Sequence, residues 1–152
     1  MEKNLSTKAK GNLTELQCIT AFYSLGYQVS IPYGENSRYD FIADINGKLL
    51  KIQVKTASVK SNSIGAITFS TRSTRINSSG NLSKSYTKAE IDYFATFWDN
   101  KCYLIPIEET SSTEKTLRFT PPANGQIKGI KFANDYELEK QLQLIQKEEK
   151  EY

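Results

Sequence analysis

The chain has no histidine. Ser-His-Asp and Cys-His nucleophilic catalysis, histidine zinc sites and nucleases with a histidine general base are thereby excluded. Any acid–base or metal chemistry must run on carboxylates, lysine, tyrosine and amide oxygens. Cysteine is nearly as scarce. Cys18 and Cys102 are the only two in 152 residues, and both stand in apolar surroundings. They read as buried free thiols rather than a disulfide. No apolar run approaches membrane-spanning length, and the N-terminus, MEKNLSTKAK, lacks a signal-peptide core. The expectation is a cytoplasmic (intracellular) chain with no membrane contact.

Acid is missing from one long stretch. Between Ile45 and Ala89 there is no Asp or Glu, while Lys48, Lys51, Lys55, Lys60, Arg72, Arg75, Lys84 and Lys88 all fall there. The rest of the chain is net acidic, although the total is +3. Segregation of this kind is the footprint of a polyanion-binding face. The length suits one self-supporting domain over residues 1–152, and the chain shows neither internal repeats nor a linker that would split it.

The richest stretch present is Tyr39 to Ala57, YDFIADINGKLLKIQVKTA. Asn46-Gly47 between two alternating runs is the signature of a type I′ hairpin, whose two central residues both need positive φ. With those as the loop, Ile45 pairs with Lys48 and Asp40 stands opposite Gln53. Directly opposed residues project from the same face with Cβ atoms ~5 Å apart. Lys55, two residues beyond Gln53, shares that face. Phe41, Ala43, Ile45, Leu50, Ile52 and Val54 form the other, all-apolar face, predicted to be core. The polar face gathers Asp40, Asp44, Lys51, Gln53 and Lys55, with Ile42 and Leu49 as apolar exceptions. A carboxylate, an amide oxygen and an amine on one face make either a divalent-metal site or a solvated outer surface. Mg²⁺ typically takes one or two carboxylates and completes its shell with water and phosphate.

The remaining elements follow in order. Lys8 to Leu25 reads as a helix with Glu15, Ile19 and Phe22 on one stripe, widened by Leu16 and Tyr23 and closed by Gly26. Glu15 is a carboxylate on the edge of an apolar stripe, which needs a partner or a cation unless its head reaches water. Tyr27 to Ile31 is a short strand, and Ile64 to Thr71 is another. Residues 71–85, rich in Ser, Thr, Asn, Arg and Lys, read as a flexible basic loop whose side chains suit phosphates and base edges. Tyr86 to Glu90 reads as one helical turn. Asp92 to Trp98 and Cys102 to Ile107 form an aromatic hairpin, and Leu117 to Phe119 a last strand. Asn134, with Glu137 three residues on, predicts a capping box opening a C-terminal helix over 134–147 with Leu138, Leu142 and Ile145 inward.

Glu15 on the first helix, Asp40 opening a strand and Gln53-Val54-Lys55 on its partner together resemble the PD-(D/E)xK nuclease superfamily, over roughly residues 8–107. The resemblance implies an α/β (α+β) fold with a restriction-endonuclease-like core, a mixed central sheet flanked by helices. It implies Mg²⁺-dependent phosphodiester hydrolysis. Asp40, Gln53, the main-chain carbonyl of Val54 and Glu15 would hold the metal, and Lys55 would orient the attacking water. The sequence departs from the pattern in having Gln53 where an acid is usual, which leaves Glu15 as the second carboxylate. That Gln-x-Lys variant, with the phrases GENSRYD, IQVKTAS, YTKAEIDYFA and CYLIPIEE, is similar to the small intron-encoded, cyanobacterial-type homing endonuclease branch. No LAGLIDADG run is present.

The resulting expectation is a site-specific endonuclease acting on double-stranded DNA, with Lys60, Arg72, Arg75 and Lys84 as DNA contacts. One small chain with one active site cuts one strand, so a double-strand break implies a homo-oligomer, a dimer or a dimer of dimers. A junction-resolving or restriction-like nuclease on the same fold stands as an alternative. A DNA-binding module that lost catalysis through Gln53 is another, and an RNA-binding protein without hydrolysis a third.

Overall fold

The structure is a computed structural model that describes residues 4–122, 124–125 and 128–150, with the backbone alone at 75–77. A helix, α1 (Thr7–Ser24), opens the chain. Ser6 starts it by accepting the Ala9 N–H on its hydroxyl at 3.2 Å. Gly26 ends it at φ +91°, a backbone state that glycine enters without a Cβ penalty. Thr14, Cys18 and Phe22 are its buried face, with Ile19 packed beside them. Leu16 and Tyr23, expected on the buried stripe, are 61% and 66% exposed. The helix is rotated so that its small Thr14 and Cys18 meet the sheet closely.

Five strands form the main sheet in the order β1 (Gln28–Ser30), β2 (Phe41–Ile45), β3 (Lys48–Val54), β8 (Tyr93–Trp98) and β9 (Lys101–Pro106). All neighbours are antiparallel except β3 and β8, which run parallel, so the sheet is mixed. The β2–β3 register is set by the turn: Ile45 pairs with Lys48 and Phe41 with Ile52. Asn46 and Gly47 take φ of +55° and +96°, as a type I′ turn requires. Asp44 caps the bend by accepting the Gly47 N–H at 2.7 Å. All six residues of the apolar face, Phe41, Ala43, Ile45, Leu50, Ile52 and Val54, are buried. The β8–β9 turn uses the same device with Asp99 and Asn100, both at positive φ, one residue shorter than the sequence implied.

The main sheet has two cores. On one face α1 and the C-terminal helix α2 (Leu138–Lys150) cover Phe41, Ile45, Ile52 and Leu104. On the other face lies a smaller sheet of β10 (Glu114–Arg118), β5 (Ala66–Ser70) and β4 (Ser58–Val59). Its Ile67, Phe69 and Leu117 pack on Phe94, Tyr103 and Ile105. Phe94 pairs directly with Gln53, so these aromatics share the face that β3 alone presents as polar. The polar face is therefore core at its β8–β9 end and open only toward β2 and β3.

Two further differences from the sequence reading have local causes. Residues 71–85 are not a loop: β6 (Arg72–Asn77) and β7 (Gly80–Ser85) form a two-stranded antiparallel hairpin. The C-terminal helix does not begin at Asn134. Residues Ala133–Tyr136 form a 3-10 turn, closed where Asp135 accepts the Phe132 N–H at 2.8 Å. Glu137 is extended and its carbonyl takes the Gln141 N–H at 3.1 Å, so it precedes the helix rather than lying inside it. Leu138, Leu142 and Ile145 are buried along α2 as the stripe predicted. The predicted turn at Tyr86–Glu90 is present, with the Ile91 N–H donating to the Thr87 carbonyl.

Candidate active site

Asp40 stands at the entry to β2, its N–H bonded to the Ile52 carbonyl at 2.8 Å. Its Oδ2 accepts the Val54 N–H at 2.7 Å. The carboxylate thus reaches across to β3 and fixes the main chain between Gln53 and Lys55. The Gln53 amide lies against the next peptide, its Nε2 donating to the Val54 carbonyl at 3.3 Å. Lys55 leaves β3 with its N–H on the Ala95 carbonyl at 2.9 Å. Its ammonium donates to the Arg72 carbonyl at 2.7 Å and lies 5.1 Å from the centre of the Tyr86 ring. Glu15 approaches from α1, half-buried and close enough to Asp40 for mutual repulsion.

Burial dominates the electrostatics of this group. It pushes the Asp40 carboxyl above its ordinary value, against the opposing pull of the Val54 N–H and Lys55. Glu15 is raised by burial first and by the Asp40 charge second. Burial likewise lowers Lys55, and Arg38 lowers it further against the attraction of Asp40. Two carboxyls raised chiefly by burial mark a place where the charged acids lack the solvation water would give them. A hard divalent cation would offset that loss. The donors fit one: two carboxylates, an amide and a main-chain carbonyl are oxygen-rich, with room left for water or phosphate. Among the described residues no three His, Cys, Asp or Glu side chains gather as ligands, so the fit depends on Gln53 and the Val54 carbonyl.

Asp40 and Gln53 open into a cleft of about 460 Å³ that is also lined by Arg38, Ser73, Leu82, Lys84 and Tyr86. The β6–β7 hairpin is one wall. Lys84 is largely exposed there, 3.9 Å from Glu90. The other cations expected to meet DNA are placed differently. Arg72 is tied down on the hairpin itself, donating to the Ser83 hydroxyl at 2.6 Å and to the Ser83 and Ser112 carbonyls. Lys60 pairs with Glu114 at 3.0 Å on the small sheet. The side chain of Arg75 lies outside the described residues.

Three residues not singled out from the sequence hold the cleft together. Arg38 donates to Glu90 Oε2 at 2.8 Å, to the Ser73 hydroxyl at 2.7 Å and to the Ser85 carbonyl at 2.8 Å. Its guanidinium lies 4.0 Å from the centre of the Tyr86 ring. Arg38 lies in the bend before β2, where no strand alternation marks it. Tyr86 and Glu90 carried no local signal.

A mixed sheet with an acid at the entry of one strand and an x-Lys pair leaving its antiparallel partner is the arrangement of restriction-endonuclease-like nucleases. The chain belongs to the PD-(D/E)XK endonuclease family, whose model matches residues 5–139. Among solved structures it is similar to the bacterial homing endonuclease I-Ssp6803I, with a TM-score of 0.76 and 23% identity over 97% of this chain and 99% of that one. At that identity the likeness shows the fold. No curated protein matches it in sequence.

Proposed function

We infer that the protein is a Mg²⁺-dependent endonuclease that cuts double-stranded DNA at a specific site, of the homing type named for I-Ssp6803I. The observation that supports this reading most is that Asp40 and Gln53, both bonded to the Val54 main chain, open into one cleft walled by a basic ribbon, while Lys55 beside them is bonded to the base of that ribbon at the Arg72 carbonyl. The work is set inside the cell, where its substrate is. Both cysteines are free and buried, and among the described residues no helix is long and apolar enough to cross a membrane.

Asp40, Gln53, the Val54 carbonyl and Glu15 would hold the cation. When bound, Mg²⁺ acidifies a water and stabilises the charge developing on the scissile phosphate and its leaving oxygen. Asp40 also fixes the Val54 peptide, so the amide and carbonyl beside it keep their place through turnover. Lys55 orients the attacking water and offsets charge on the phosphate oxygens as they crowd. Lys84 makes a phosphate contact from the cleft wall. Arg72 contributes by stiffening the ribbon, and Lys60 and Arg75 complete the proposed set of DNA contacts.

The expected result is conversion of supercoiled plasmid carrying the target to linear DNA in Mg²⁺, with none in EDTA. Binding without any cleavage would favour a DNA-binding module that lost catalysis, a reading that Gln53 supports by removing one charge from the site. Faster cutting of a four-way junction than of linear duplex would move the assignment to a junction-resolving nuclease. Tighter binding of RNA than of duplex DNA at the same salt would point to an RNA-binding protein.

Two strands require two such sites, and the proposal includes at least a dimer, with a dimer of dimers if the target is long. The exposed side of α1 supports self-association. Leu13, Leu16 and Leu25 line a groove of about 570 Å³ together with Phe97 and Leu138. Sedimentation with target DNA is expected to show a dimer or tetramer. A strictly monomeric complex would remove this part of the reading.

A further inference from the structure

The geometry points to Arg38 as a positioning residue that clasps the base of the β6–β7 hairpin to the nuclease strands and, through that clasp, places Lys55; this rests on the nuclease reading above. A two-stranded ribbon alone is marginal in water. Among its described side chains none is buried, and from Gly80 to Lys84 every residue is exposed. Its attachment is at its base. The Thr71 N–H donates to the Thr113 carbonyl and the Thr71 hydroxyl to the Ser111 carbonyl, which holds one strand from outside. From inside the cleft, Arg38 spans both strands, with Ser73 of β6 and Ser85 of β7 on separate nitrogens. Its third direction goes to Glu90, and Tyr86 supports the flat face of the guanidinium.

The ribbon base is also what Lys55 holds. The acceptor of its ammonium is the Arg72 carbonyl, one residue before Ser73. Tyr86 lies under both cations. A shift of the base would therefore carry the Lys55 acceptor with it. A misplacement of ~1 Å at a reacting group can cost ~10²-fold in rate. Only a guanidinium can serve these partners together. Its donors are fixed in one plane, whereas a lysine offers a point charge without the fork. The plainer account is a partly exposed ion pair, Arg38–Glu90 at 2.8 Å, that adds a little stability and nothing else.

Three full-length variants separate the two accounts: Arg38→Gln, Arg38→Lys and Glu90→Gln. Amide hydrogen exchange reads the ribbon without any DNA. Single-turnover nicking of supercoiled plasmid with enzyme in excess, and plasmid affinity at the same salt, read its consequence. For Arg38→Gln we expect exchange over residues 72–85 to quicken at least ~10-fold while β2 and β3 stay protected. Nicking should fall ~10–100-fold with affinity changed by less than ~3-fold. Arg38→Lys should not restore the rate. Exchange that quickens across the whole sheet, a rate that falls only in proportion to affinity, or full rescue by lysine would each overturn the proposal. Should Arg38→Gln not fold, Glu90→Gln decides, with the same pattern at smaller amplitude. Asp40→Asn run in parallel keeps the two readings apart. If it nicks like wild type, the nuclease site itself is misassigned. If it is dead while Arg38→Gln is unimpaired, only the clasp fails.

Discussion

Asp40→Asn is expected to abolish cleavage and to stabilise the fold. The rate should drop by ~10²–10⁴ or more, the range for losing a group that acts directly in the chemistry. Asn keeps an oxygen for the Val54 N–H but carries no charge for the cation. The stability effect follows from the raised pKa of Asp40. A carboxyl whose folded value lies above its unfolded value binds more protons when folded. Stability then falls as pH rises through that interval, and the loss persists at neutral pH. Replacing the acid with its neutral isostere removes the penalty, so Tm at pH 7 should rise. Millimolar Mg²⁺ should raise the Tm of the wild type and leave that of Asp40→Asn unmoved. A variant that is both less stable and equally responsive to Mg²⁺ would show that the cation binds elsewhere.

Lys55→Met should cost a similar ~10²–10⁴ in single-turnover rate while DNA affinity holds within a few-fold. The ammonium is partly shielded and committed to the Arg72 carbonyl, so it adds little to bulk phosphate attraction. Its shift also sets a limit on the working range. Burial and then Arg38 lower its pKa, so protonated Lys55 is lost at a lower pH than for an ordinary lysine. Asp40 and Glu15 are shifted the other way. The profile of rate against pH should be a bell narrowed from both sides. Raising Mg²⁺ should move its acid limb down, because the bound cation favours the ionised carboxylates. The alkaline limb should disappear in Lys55→Met. An alkaline limb unchanged in that variant would assign it to another group.

The parts of this molecule that could be read from sequence are those whose physics is local. Asn46-Gly47 sets a register by dihedral preference alone, and the burial of Phe41, Ala43 and Ile45 opposite Leu50, Ile52 and Val54 follows from it. The meeting of Asp40 with the Val54 peptide is a consequence of the same register. What failed to show depended on contacts between distant segments. Among the described side chains of β6 and β7 none is buried, so no alternation marks them and their Ser, Thr and Asn content looks like a loop. The second core arises because Phe94 joins the face of Gln53 through a parallel pairing 41 residues away. α1 buries Thr14, Cys18 and Phe22 and leaves Leu16 outside, a choice of face that its own apolar spacing does not dictate. Glu137 reads as closing a box on Asn134, but the cap forms two residues earlier, where Asp135 accepts the Phe132 N–H. Arg38 became visible only once its acceptors on two strands and Glu90 came into one place.

Among the described residues the ribbon is bonded to the rest of the protein chiefly at its base, near Arg72, Ser73 and Ser85, and residues 78–84 are exposed. Substitutions of exposed side chains along that outer half disturb little packing, and surface changes of this sort usually alter stability by less than ~0.5 kcal/mol. Sequence there can drift almost free of folding constraint while the hydrolytic centre beneath is left alone. With the ribbon meeting DNA as proposed, a lineage carrying this architecture would have a route to altered DNA preference that does not pass through a broken enzyme.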